Sequence, residues 1–167
     1  MGTRTLVTEE EYLRTSFGDR TPEYVDGEID ERSLPNNPHS EAQGELVYRF
    51  RSLGERLPLF PRPEIRLLVG PRRYRIADLA VYAHEKPTGV LPSQVPLVVA
   101  EIVSPDDTLE DVMQRLAEYT AWGVPHVWLA EPRLLCIYVY RDGGLTPVSA
   151  YELPEFKVRI SAEEILR

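Results

Sequence analysis

Two hydrophobic periods alternate along the chain and divide it into helices and strands. From His39 to about Leu57, the apolar positions Ala42, Leu46, Val47, Phe50, Leu53 and Leu57 recur every three or four residues, which predicts an amphipathic helix ended by prolines 58, 61 and 63. A second long helix is predicted from Thr108 to Ala121, opened by the capping-box-like pair Thr108 and Asp111 and stopped by Gly123. Shorter helices are predicted at TEEEYLRTSF, with Thr8 as N-cap and Glu9, Glu10 and Glu11 in the first turn, and at SAEEILR. The Pro-Asn-Asn-Pro run at 35 to 38 reads as a rigid loop. Strand signals fill the rest: a hairpin in PEYVDGEIDERS turning at Asp26 and Gly27, strands at 64 to 70 and 74 to 82, and a near-continuous apolar run at 95 to 103. HVWLAE, LLCIYVYR and LTPVSAYEL follow, separated by Pro132 and the turn Asp142, Gly143, Gly144. The alternation predicts an α/β protein, and no composition break divides residues 1–167 into more than one domain.

Two residues break this pattern. Asp78 lies within RIADLAVY and Glu101 within VPLVVAEIVSP, where an ionised carboxylate costs several kcal/mol unless a cation or strong hydrogen bonds meet it. By strand alternation Asp78 shares a face with Tyr74, Ile76, Ala80 and Tyr82, and Glu101 shares one with Leu97, Val99 and Val103. If the strands are neighbours, the two carboxylates meet, and such a pair suits a hard cation such as Mg²⁺ or Mn²⁺. The competing reading is structural: Asp78 paired with Arg75 or Arg66, and Glu101 accepting backbone hydrogen bonds beyond the strand end at Ser104-Pro105. One Cys and three scattered His argue against zinc. On the following helix Asp111, Arg115, Tyr119 and Trp122 form one stripe, so that Arg115 reaches over the strand end or else forms an ordinary surface pair with Asp111.

Composition narrows the classes further. With 43% hydrophobic and 28% charged residues, the 167-residue chain reads as a folded globular domain. Its net charge of −8 disfavours non-specific nucleic-acid binding, yet eight arginines between Arg49 and Arg75 face only Glu55 and Glu64, which leaves that segment at +6. Arg66, Arg72, Arg73 and Arg75 are its candidates for contacts to a DNA backbone. Cys136, in an apolar run, reads as a buried core thiol in a reducing compartment. No stretch reads as a signal-peptide core or membrane span, and a cytoplasmic location is expected. His84 reads as a loop residue and His126 as a strand start, while Trp122, Trp128 and the tyrosines of IYVY read as core or dimer surface and not as base-stacking platforms.

Several of these segments together resemble one family, the restriction endonuclease family of the Uma type, within the PD-(D/E)XK nuclease superfamily. EYVDGEI resembles its E-x-x-DGE segment, Pro35 with His39 its P-x-x-x-H helix entry, IADLAVY its PD strand, and PLVVAEIVSP its P-x-LVVE-x-x-SP strand. The segment DVMQRLAEYTAWGVPHVWLAEP resembles its D-x-x-x-K-x-x-x-Y-x-x-x-GVP-x-x-W-x-x-x-P region. The resemblance implies a restriction-endonuclease-like α/β fold, with a central mixed sheet flanked by helices and an extra N-terminal helix and hairpin. It implies a Mg²⁺- or Mn²⁺-dependent endonuclease acting on DNA, with Asp78, Glu101 and the carbonyl of Ile102 as metal ligands, and Glu23, Glu28, His39 and Tyr119 lining the site. A homodimer is implied too. Three positions depart from the pattern: Ala77 replaces the proline before the aspartate, Val103 stands two after Glu101, and Arg115 stands where the family carries lysine. Only Lys86 and Lys157 occur in the chain. Arginine stays protonated, so Arg115 fits charge stabilisation and not a general base. Three readings follow: an active nuclease with Arg115 as electrostatic clamp, a non-catalytic DNA-binding or assembly module on the same fold, and a hydrolase of small phosphoesters.

Overall fold

The computed structural model describes residues 6–167. Helix α1 (Glu9–Arg14) starts at the Thr8 capping box with Glu11, and the hairpin β1 (Glu23–Val25) and β2 (Glu28–Asp30) follows. Helix α2 (Asn37–Gly54) begins inside the Pro-Asn-Asn-Pro run, because Asn36 accepts the His39 N–H and Pro38 needs no partner in the first turn. Strands β3 (Leu59–Gly70) and β4 (Arg73–Ala83) form the longest pair, and β5 (Val98–Ile102), α3 (Leu109–Trp122) and β6 (His126–Glu131) make a parallel crossover unit. Strands β7 (Cys136–Arg141), β8 (Gly144–Val148), β9 (Ala150–Leu153) and β10 (Val158–Ser161) lead to the short helix α4 (Ala162–Ile165).

The main sheet is mixed, in the order β2-β1-β4-β5-β6-β7-β8, with β3 on the other edge of β4. Three expectations are corrected. Strand β3 starts at Leu59 and runs through Pro61 and Pro63, not from residue 64: it pairs with β4 alone, so a missing proline N–H on its outer edge breaks no ladder. The segment LTPVSAYEL is two strands: β8 ends the main sheet, whereas β9 leaves it to pair with β10. Cys136 is likewise not core but half-exposed at the start of β7. No helix among the described residues is long and apolar enough to cross a membrane.

Strand alternation builds a core on each face of the sheet. Val98, Ala100, Trp128 and Ala130 pack with Leu46, Phe50 and Tyr151, under α2 and the β9–β10 hairpin. Val99, Val127 and Leu129 pack with Val112, Leu116 and Tyr119 of α3. A third cluster, Tyr12, Tyr24 and Tyr74, seats α1 on the hairpin.

The sheet is split on one edge of β4. Tyr74 pairs with Tyr24 of β1, while Leu79, Ala80 and Val81 pair with Ala100, Val99 and Val98 of β5. Between these ladders Glu23 replaces a strand, its Oε1 accepting the Ile76 N–H at 2.9 Å. Its other oxygen accepts from Arg75 Nη1 at 2.8 Å, and Arg75 Nε donates to Glu118 of α3 at 2.7 Å. Burial alone raises Glu118, but hydrogen bonds and charge from Arg75, with Gln114 and Arg73, outweigh it and hold Glu118 below its ordinary 4.5. A depressed carboxylate contributes stability above its unfolded pKa and loses it as pH falls through the folded one. Glu118→Gln is therefore expected to cost about 1.5–3 kcal/mol at neutral pH, toward the low end because solvent reaches part of the pair. The gap from wild type should close in acid, as read by urea unfolding at several pH values.

Candidate active site

The split in the sheet is where the two unusual carboxylates meet. Continuing the β4–β5 register of Leu79 with Ala100 by one step sets Asp78 opposite Glu101, although the strands part there. Instead of a ladder bond, the Ile102 N–H donates to Asp78 Oδ2 at 2.8 Å. Both carboxylates are buried, Asp78 2% and Glu101 4% exposed. Tyr119, one turn beyond Arg115 on α3, donates its hydroxyl to Glu101 Oε1 at 2.7 Å. Burial pushes the Tyr119 phenol well above its ordinary value, and the charges of Glu101 and Glu23 push it further, so it is held as a neutral donor.

Electrostatically the pair is strained. Burial first, and then the charge of Asp78, push Glu101 up to about 8, against the opposing charge of Arg115 and the Tyr119 hydrogen bond. Arg115 is held by Asp107, its Nη2 lying 3.1 Å from Oδ1, and not by Asp111. Asp111 instead closes the α3 cap, its N–H donating to Thr108 Oγ1 at 3.1 Å. Asp107 is presented by a turn in which the Ser104 N–H donates to Asp107 Oδ2 at 2.8 Å. Burial opposes the charge on Arg115, but Glu101 and Asp107 outweigh it and raise the pKa, so the guanidinium stays charged.

One small polar cavity collects these groups. It is lined by Glu23, His39, Asp78, Glu101, Ile102 and Arg115, and also by Arg20, Arg32, Ser33, Ile76, Ser104 and Asp107. His39, at the start of α2, places Nε2 3.3 Å from Asp78 Oδ2, while its buried Nδ1 has no partner among the described residues. Neither expected structural pairing of Asp78 occurs: the arginine on it is Arg32, whose Nη2 lies 3.1 Å from Oδ1. Among the described residues no group of three or more His, Cys, Asp or Glu side chains has metal-binding geometry. A cation would have two carboxylates and backbone oxygen to use.

Other expected residues lie elsewhere. Glu28 sits where the hairpin returns into β2, bridged to Leu6, and does not line the cavity. The arginine segment is not a free basic face. Arg75 is buried on Glu23 and Glu118, Arg73 pairs with Asp26 and Glu118, and Arg66 lies over the Tyr12 ring. Of the four, only Arg72 is exposed. Arg20, Arg32 and Asp107 were missed. The Ser104-Pro105-Asp106-Asp107 turn was a usable signal for Asp107, whereas Arg32 sits in a polar loop that carries no period.

No curated protein matches the chain. Among solved structures, one from Anabaena variabilis, described as a "putative nuclease belonging to DUF820", superimposes with a TM-score of 0.82 at 21% identity, covering 95% of this chain and 97% of that one. At that identity the match shows the fold. The family model described as "Putative restriction endonuclease" matches residues 9–167, a span that takes in both carboxylates, Arg115 and every element that holds them. The chain belongs to that family, Uma2.

Proposed function

We propose that the protein is a PD-(D/E)XK-type nuclease that hydrolyses phosphodiester bonds in DNA with Mg²⁺ or Mn²⁺ held by Asp78, Glu101 and the carbonyl of Ile102. The observation that carries this reading is the buried carboxylate pair: Asp78 stands across from Glu101 where β4 and β5 part, and burial first, then the charge of Asp78, raise Glu101 to about 8. A protein stabilises such a pair poorly without a cation, and all-oxygen donors suit a hard divalent ion. The donor set therefore fits the metal.

A bound divalent cation would supply a water of lowered pKa and positive charge against the phosphate. The chain's own residues do the rest. Tyr119 fixes Glu101, while the Ile102 N–H and His39 fix Asp78, so neither carboxylate turns away from the other. Arg115, aimed by Asp107, offers N–H donors to phosphate oxygens and stays charged throughout, stabilising charge without taking up a proton. Exposed Arg72 and half-buried Arg66 remain for the DNA backbone. A second reading, a binding module that has lost cleavage, is favoured by one observation: neither Lys86 nor Lys157 lines the cavity, so no lysine base is at hand.

Supercoiled plasmid nicking in Mg²⁺ is expected from wild type and not from Asp78→Ala or Glu101→Ala, and calorimetry should show one Mn²⁺ site that both changes remove. Cleavage that survives Asp78→Ala sinks the proposal. Arg115→Ala should lower the rate about 10²–10³-fold, the scale of losing one preorganised charge donor. An inactive wild type that gains metal-dependent cleavage as Arg115→Lys would instead establish the second reading.

The pair also sets a pH dependence in chelator. Glu101, raised from its ordinary 4.5 to about 8, favours the folded state fully below the unfolded value and loses that contribution as pH climbs to the folded one. Glu101→Gln should therefore unfold near the wild-type temperature in acid. Above neutrality it should gain at least ~3 °C over wild type, equivalent to about 1 kcal/mol in a chain this size. Equal thermal shifts at all pH values would rule out the strained pair.

A further inference from the structure

The cavity at the carboxylates holds only about 20 Å³, little more than one water and far less than a phosphate. Arg32 forms part of its wall. Its guanidinium bridges two carboxylates, Nη2 on Asp78 Oδ1 at 3.1 Å and Nη1 on Glu64 Oε2 at 2.5 Å. The side chain is 13% exposed, while that of Glu64 is 47% exposed, so Arg32 spans from solvent side to buried side of the site. Burial opposes its charge, yet Glu64 first and then Asp78 and Glu101 outweigh burial and raise its pKa.

The surroundings are built for this bridge. Pro63 pairs with Leu79 and Ile65 with Ala77, which leaves Glu64 across from Asp78, and Glu64 adopts a left-handed φ of 49°, costly for a residue with a side chain. Gln43 of α2 ties the two together, donating to Glu64 Oε1 at 2.8 Å and to the Asp78 carbonyl at 2.9 Å. Arg20 donates to the carbonyl of Ser33 at 2.8 Å, and Ser33 Oγ donates to Asp107, which strap the loop carrying Arg32 across the site. Beside it lies a larger cavity of about 380 Å³, lined by Arg32, Arg20, Phe17, Ile29 and Leu34, with room for a displaced guanidinium.

We propose that Arg32 is the resident counter-ion of Asp78: it competes with the divalent cation for that carboxylate and must withdraw toward the neighbouring cavity for cation and phosphodiester to enter. This inference rests on Asp78 and Glu101 holding the cation. Arg32 is a positioning residue, one that stabilises the cation-free pair and sets how tightly the site takes its metal. A phosphodiester entering beside Arg115 would give the released guanidinium a new bidentate acceptor.

Mn²⁺ titration of the full chain by calorimetry separates the two claims. Arg32→Met should bind Mn²⁺ at least about fivefold more tightly than wild type, the low end of a coupling between competing sites. Its unfolding temperature in chelator should fall. Arg32→Lys, which keeps the charge but not the fork, should lie between the two. Should Arg32→Met fail to fold, Glu64→Gln removes the outer anchor and should tighten Mn²⁺ binding in the same direction by less. Wild-type affinity in a folded Arg32→Met, or in Glu64→Gln where the first is unfolded, overturns the counter-ion alone, provided Asp78→Ala abolishes binding. No Mn²⁺ binding by wild type overturns both claims.

Discussion

The burial of two facing carboxylates, Asp78 and Glu101, is the constraint around which the rest of the molecule is arranged. Two carboxylates at facing positions of adjacent strands, nearly removed from water, are stable only where donors and cations come from every side. They do: a phenol from α3, a backbone N–H from β5, an imidazole from α2 and a guanidinium from the loop after β2. Even so Glu101 remains pushed up to about 8. Burial is the first cause of that rise and the charge of Asp78 the second, so the donors orient the carboxylates without offsetting their removal from water.

The same constraint explains the split sheet. A fully paired β4 would place ladder bonds where the carboxylates need room, so β1 leaves β4 after Tyr74 and β5 joins it only from Leu79. The open backbone between them is not left bare, because Glu23 accepts the Ile76 N–H with one oxygen and Arg75 with the other. Arg75 passes that restraint to α3 through Glu118. An arginine-rich segment that looks in sequence like a nucleic-acid surface is in good part an internal scaffold, its charges spent on Glu23, Glu118, Asp26 and the Tyr12 ring.

What was legible in sequence follows from what leaves a period. The long helices, the hairpin and the central strands are written in apolar spacing, and alternation puts Glu101 on a face with Val99 and Val103, whereas in β4 Ala77 and Ala80 share one cluster and so break strict alternation beside Asp78. The extension of β3 through Pro61 and Pro63 was hidden, since a proline breaks a ladder or not depending on whether the strand is an edge, which is a tertiary fact. The β9–β10 pair was hidden for the same reason: its first strand is continuous in sequence with β8 but belongs to another sheet. Arg32 left no trace at all. Its role depends on Glu64 standing across from Asp78, a register relation 32 residues further along the chain.

The arginine at position 115 is best understood together with Asp107. A lysine is a point charge on a flexible stem, whereas a guanidinium can be held on one edge and still present donors on another. Asp107, itself pinned by the Ser104 N–H, holds Nη2 of Arg115, and the buried Nε has no partner among the described residues. The side chain is therefore aimed without being saturated. Because Glu101 and Asp107 both reinforce its charge against burial, Arg115 keeps its proton. The arrangement assigns to α3 the task of holding positive charge beside the carboxylates.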